Sequence, residues 1–421
     1  MRGRTANPVS TQVIPAQSPY VLRIVTAALF CLVICLVTTA SSRAAEPVSE
    51  FLQGLRSRGE LDLALDYLTL MHTSPLLTEE VQPVFLLESG ITFAQAVLKT
   101  SDPERQEQYR EQARSALRSF VKQSPGHPRI IQGKTLLGEL LLHDCSESAM
   151  ERPPRTDAER QQIVRVVIGE SRDYLQQSRD RYQEMWEQFP VYIPEDQPDV
   201  RKVKRAIEES LIRTQLDLAQ CTYWEAQTWP EGTSDAQRLC AQAGLEFEAI
   251  HQRYRSQAGG LLARLWQARC FQEQGSEQGV RIALGIYAEI LEHHGDSPTI
   301  VDLRDRALKF RLTCLNTEHR RDYQLVIQEG EAWLELASER AVSPVGVAIQ
   351  WEICSALEQK AGMPGTSEEE RLSLLQLAYR RAYPLTWIKG FYARQASQMM
   401  DRISPVLEAA GKSIDPREIV P

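Results

Sequence analysis

The chain has 421 residues, of which 43% are apolar and 25% charged, with 48 basic against 56 acidic side chains and a formal net charge of −8. That composition belongs to a folded protein with a sizeable core and excludes a disordered polymer. The acidic balance argues against nucleic acid as a partner, because such binders displace counterions with basic stripes, and against tight adsorption to anionic lipid.

The N-terminus reads as an export signal. Residues Ile24 to Ala40 carry no charge, follow Arg2, Arg4 and Arg23, and lead into the small-residue stretch Ser41-Ser42-Arg43-Ala44-Ala45. The expectation is cleavage after Ala44, or retention of residues 24–40 as an anchor in the inner membrane, since seventeen uncharged residues sit at the lower limit of a span. Phe30 and Ile34 precede Cys31 and Cys35 where a lipid-attachment signal needs a small residue, so a lipid anchor is not expected. Without residues 1–45 the chain keeps 44 basic and 56 acidic residues, a net of −12.

From Gly59 onward the chain restarts one unit: a helix-length run of apolar positions at 3–4 spacing, a Gly- or Pro-marked turn, and another run. Val48 to Arg58 and Leu61 to His72 form the first pair, hinged at Gly59-Glu60. Thr78 to Lys99 follows, then a helix opened by the N-cap chemistry of Ser101-Asp102-Pro103-Glu104 and ended by Ser124-Pro125-Gly126-His127-Pro128. Arg129 to Asp144 is strongly apolar. Bends are expected near 151–156 and 190–198, on either side of a long helix from Asp157 to Phe189. Val200–Thr228 then pairs with Ser234–Ser256, Leu261–Gln274 with Ser276–His294, Pro298–His319 with Asp322–Glu339, and Val345–Ala361 with Glu368–Tyr383. Pro384 breaks the last of these, and a final helix runs from about Trp387 to Ile403. No strand is expected, and residues 411–421 read as a disordered tail.

Gly59-Glu60-Leu61-Asp62-Leu63-Ala64-Leu65-Asp66-Tyr67-Leu68 resembles the turn and second helix of a tetratricopeptide repeat, in which a small Ala nests against the preceding helix and a large residue, here Leu68, follows four positions on. Ala116 with Phe120 and Pro128, and Ala283 with Tyr287 and Ile290, repeat the spacing. The first helices depart from the pattern: no Trp-x2-Leu-Gly triplet is clear, and Cys270, Cys314 and Cys354 stand roughly at its small position. The resemblance covers residues 48–403. It implies an all-α, right-handed superhelix of stacked antiparallel helix pairs over residues 46–410, whose groove takes up a peptide or protein partner.

Six cysteines follow residue 45. Buried thiols are the default reading in a large helical core, and Cys221 with Cys240, nearly symmetric about the Trp229-Pro230-Glu231-Gly232 turn, are the candidate disulfide. Gly133-Lys134-Thr135 imitates the end of a phosphate-binding loop but has Pro128 where a Gly is required and helix on both sides. His293-His294 point about 100° apart on a helix and do not make a metal pair. Trp186, Trp224, Trp266, Trp333 and Trp351 occupy helical core positions, whereas Trp229 and Trp387 near turns are expected to be exposed.

No catalytic residue, metal ligand or cofactor site is expected. The expected function is a non-enzymatic protein-protein interaction scaffold of the bacterial envelope, exported to the periplasm or anchored there. Two alternatives stand beside it: an exported helical-barrel enzyme acting on polysaccharide, and one segment of a larger assembly. The last would self-associate through an apolar final helix (Gly390, Phe391, Tyr392, Met399, Met400).

Overall fold

The computed structural model describes residues 48–100, 102–151, 158–388 and 390–412. The expected signal or anchor within 1–45, the bend at 152–156 and tail residues 413–421 lie outside them. No described helix is long and apolar enough to cross a membrane.

The described residues form α-helices and no strand. In chain order these are α1 (Val48–Arg58), α2 (Leu61–His72), α3 (Gln82–Lys99), α4 (Pro103–Gln123), α5 (Ile130–Glu151), α6 (Ala158–Glu187), α7 (Pro198–Ala226) and α8 (Ser234–Arg253). They continue as α9 (Ala258–Glu273), α10 (Glu277–Leu291), α11 (Pro298–Asn316), α12 (Tyr323–Leu336), α13 (Pro344–Ala361), α14 (Glu368–Ala382) and α15 (Phe391–Ala409). The starts are chemically alike. Ser276, Ser297, Ser343 and Ser367 each accept a bond from the backbone N–H three residues on, and Asp102 accepts from Glu104 at 3.1 Å, which satisfies donors a helix start leaves open.

A glycine recurs three residues into α9, α10 and α13. A Cβ on Gly260, Gly279 or Gly346 would lie 2.0–2.4 Å from the carbonyl oxygen of Tyr254, Phe271 or Arg340 in the segment before it. Only glycine lets the two backbones close that tightly, so these turns bring each helix hard against its predecessor.

Every extensive helix–helix contact joins neighbours in chain order or helices two apart. All contacts of the second kind link odd helices: α1 to α3, then successively to α5, α7, α9, α11, α13 and α15. The odd helices therefore form a continuous row, the A layer, and each even helix leans on the two odd helices beside it. The sequence shows the reason. An A helix such as α9 is buried around most of its girth (Leu261, Ala263, Leu265, Ala268, Cys270), whereas α10 buries one stripe (Val280, Ala283, Ile286, Tyr287, Ile290). Consecutive helix pairs stacked in this way are compatible with a helical-repeat solenoid.

The core is a relay of local clusters, not one centre. The turn at 188–197 does not interrupt it, since a single cluster runs from Leu142 and Val164 through Leu216 to Cys270. At the C-terminal end, Ala396, Met399, Ile403 and Leu407 of α15 are buried, while Arg394, Ser397, Gln398, Asp401 and Arg402 face outward. The end expected to be apolar is polar. The helix also continues through Pro405 beyond the expected stop, the carbonyl that loses its donor being that of exposed Asp401. Residues 411 and 412, expected in the tail, close a cap in which the Lys412 N–H bonds Leu407 O at 2.9 Å.

Candidate functional site

The packing residues read from the sequence fall into two groups. Gly59 turns the chain with φ +80°, and Ala64 and Leu68 are buried with Leu52 and Phe85. Ala283 and Tyr287 are wholly buried. Ala116 requires correction. It is half-buried, and the buried row of α4 is Ala113, Leu117 and Phe120; the small partner of Phe120 is Gly133 of α5, whose Cβ would lie 2.6 Å from the ring. Spacing of 3–4 alone does not choose between the two alanines; the facing helix does.

The candidate disulfide is not formed. Cys221 turns its Sγ toward Ser171 Oγ of α6 at 3.7 Å, while Cys240 packs with Ala226 and Leu239. Cys145, Cys221, Cys270, Cys314 and Cys354 sit one to a helix on α5, α7, α9, α11 and α13, all buried. Burial pushes the thiols of Cys145, Cys221, Cys314 and Cys354 up to about 12, so they are protonated fillers and not nucleophiles.

This cysteine ladder gives a common frame in which equivalent positions of the A helices can be read. The residue immediately before the cysteine is Asp144, Gln220, Arg269 and Thr313 in four successive A helices. The residue four before it is Trp266 in α9 and Phe310 in α11. These positions share one side of the layer.

An aromatic row, buried at Tyr223 and Trp224 and half-buried at Trp266 and Phe310, crosses that side. Tyr223 and Trp224 of α7 lie 5.1 Å apart, and the Trp266 ring stands 5.2 Å from Tyr223, 6.3 Å from Trp224 and 6.4 Å from Phe310. Farther along, Trp351 of α13 meets Tyr392 of α15 at 6.5 Å. Charge is threaded between the rings. Arg269 donates from Nε to Tyr223 Oη at 3.2 Å, pairs with Glu273 at 2.5 Å, and lies 5.1 Å over Phe310. Burial works to lower its pKa, but Glu273 holds it well above the ordinary value.

Lys309, 4.4 Å over the Phe310 ring, is lowered to about 8, chiefly by burial and then by Arg269. Glu352 of α13 completes the group, accepting from Thr313 at 2.8 Å and from Asn316 at 2.6 Å. Arg269 Nη1 and the Trp224 indole N–H have no acceptor among the described residues.

Trp224 also walls a cavity of about 80 Å³ between α3, α5 and α7, lined by Val97, Leu98, Leu136 and Leu140 with Arg213 and Asp144 at its polar side. This side of the A layer thus combines an apolar recess, flat rings and fixed charges. It can seat side chains and pair their polar groups.

The other tryptophans divide as the packing dictates. Trp333 is buried and donates to Asp305 at 2.8 Å, and Trp387 is 75% exposed. Trp229, expected to be exposed, is half-buried under the Arg165 guanidinium, 3.7 Å from its centroid. Lys134 projects from mid-helix to Gln177 at 2.6 Å.

No family model matches this chain, and no curated protein is significantly similar to it in sequence.

Proposed function

We propose that the chain is a non-enzymatic scaffold of the tetratricopeptide-like kind, a right-handed superhelix that binds an extended peptide or a partner protein along the face of its A layer. The observation that supports this most is the aromatic and charged row carried across α7, α9, α11, α13 and α15, with unspent donors on Trp224 and Arg269. A stack of helix pairs presents its equivalent positions in line, so a row of rings and charges recurs at the pitch of the repeat and suits a linear ligand. Residues 24–40 would carry the body into the periplasm, either freed after Ala44 or held to the inner membrane. N-terminal sequencing of the mature protein distinguishes these: a start at Ala45 marks cleavage.

The function is tested by placing a photo-crosslinking residue at Leu98, at His143 or at Lys309 in the full chain, and at Gln398 on the outer face of α15 as reference. The expected result is one partner captured in cells at the A-layer sites and lost when Arg269 is also replaced by Glu. Capture that is equal at Gln398, or indifferent to Arg269→Glu, rejects the A-layer groove.

A further inference from the structure

Helix α7 works on two opposite sides. Arg213, Asp217, Gln220 and Trp224 face the A-layer cavity, while Gln215, Leu218, Thr222 and Glu225 form the floor of a second, larger cleft between α6 and α8. At 100° per residue the two sets lie on opposite faces of the helix, so this cleft belongs to the other side of the molecule. It measures about 690 Å³.

Its chemistry differs from that of the rest of the chain. Arg172 and Arg179 stand on one wall, Arg238 and Arg253 on the other, against two carboxylates, Glu225 and Glu246. Both carboxylates are engaged within the cleft: Glu225 with Arg172 at 2.7 Å, and Glu246 with Thr222 and Gln242, each at 2.9 Å. The remaining arginines have weaker ties. Arg179 pairs with its neighbour Asp180 and Arg238 with Asp235 at 3.5 Å, both exposed pairs that water contests. Arg253 rests near the rings of Trp186 and Tyr254, at 5.7 and 5.3 Å, and forms no ion pair among the described residues. Four arginines against two carboxylates give the lining a surplus of positive charge, which Asp180 and Asp235 at the rim offset at Arg179 and Arg238 and no ion pair among the described residues offsets at Arg253.

We propose that this cleft is a second binding site, for an extended peptide segment bearing carboxylates about three residues apart. Length supports it: from Arg238 to Arg253 the wall runs ~22 Å at helical rise, which an extended chain spans with about six or seven residues. Spacing supports it too. Arg172 and Arg179 are two turns apart, ~10 Å, which is the reach of three extended residues. Gln176, Gln215 and Gln242 add side-chain amides that both donate and accept, as a peptide backbone requires, whereas a sulfated or phosphorylated polymer offers acceptors with few donors. Arginine forks matched to carboxylates supply orientation as well as charge. This site stands apart from the A-layer groove and does not depend on it.

The test is fluorescence anisotropy with the full chain in mild detergent and a labelled peptide of three Ser-Glu-Gly units. The expected result is salt-sensitive binding that falls at least about tenfold in the Ser-Gln-Gly peptide and at least about tenfold in the double variant Arg179→Glu/Arg253→Glu. Arg105→Glu, on exposed α4 surface, leaves it unchanged. The milder pair Arg179→Gln/Arg253→Gln, checked by its thermal melt against the wild type, serves if the reversal does not fold. Equal binding of the two peptides, indifference to the arginine changes, or tighter binding of inorganic polyphosphate than of the peptide overturns the proposal.

Discussion

Glu88 is 1% exposed and receives Arg56 of α1 at 2.6 Å and Arg129, just before α5, at 2.7 Å, with Ser49 donating at 3.0 Å. One carboxylate thus ties the first three members of the A layer. Glu88→Leu leaves two arginines facing each other without a counter-charge, and the expected loss is about 3–5 kcal/mol of stability, read as a lower midpoint in urea; a change below about 1 kcal/mol contradicts the clamp. Lys309 gives a prediction in pH. Its pKa of about 8 lies below the ordinary 10.5, so between those values the unfolded chain holds the proton that the folded one has released. Stability therefore gains from this group as pH rises from about 8 to 10.5, and below 8 the cost of the buried charge is constant. The wild type should gain on Lys309→Met over that window in paired denaturation curves, and parallel curves would remove Lys309 from the crowded face. The sequence marked Cys270, Cys314 and Cys354 as small packing residues, and they are. It did not show that Arg269 and Thr313, each just before a cysteine, share one side of the A layer while Ile353 before Cys354 packs into the core, because that requires knowing which side of an apolar helix meets the next A helix.

At the scale of the element, the sequence cues carried most of the boundaries. Asp102 caps α4 and Pro384 follows the end of α14 as their positions predict, and the serines ahead of α10, α11, α13 and α14 prove to be caps of the same kind, because capping is chemistry between residues two or three apart. Helix α15 shows where local reading ended. Its apolar stripe was visible, but only the packing shows that Met399, Ile403 and Leu407 turn inward and leave a polar outer face. That face makes α15 a cap on the stack, which repeat arrays need at their ends. A chain ending at Ala382 would uncover the surfaces of α13 and α14 on which α15 now packs. It is expected to self-associate, with light scattering giving a mass above that of the monomer while the full chain gives a smaller value at the same concentration. A truncated chain that stays strictly monomeric shows that α15 is not a cap.

For the whole molecule, contacts confined to near neighbours set how it opens. Among the described residues no extensive contact joins helices more than two apart, so stability should be graded along the chain. Helices α1 and α2 are short and leave Phe51, Leu63 and Leu70 exposed, whereas α7 to α11 share continuous aromatic and apolar packing. Native-state hydrogen exchange is expected to show α1–α2 opening at the lowest free energy and the inward amides of α7 and α9 exchanging last. Uniform protection from α1 to α15 would mean a single cooperative unit, which this contact pattern does not support.

What the sequence determined by itself was the all-helical class, the pairing of consecutive helices, their caps and turns, and much of the apolar stripe, because each rests on periodicity and chemistry within a few residues. What the tertiary structure decided was orientation. It chose Ala113 over Ala116, set Trp229 beneath Arg165, kept Cys221 apart from Cys240, and aligned Trp266, Arg269, Lys309 and Phe310 on one face while α7 turned a second face to the arginine cleft. The physical reason is that a helix buried nearly all round carries no local mark of which side meets which neighbour, and that choice is made only when the helix two places away packs against it.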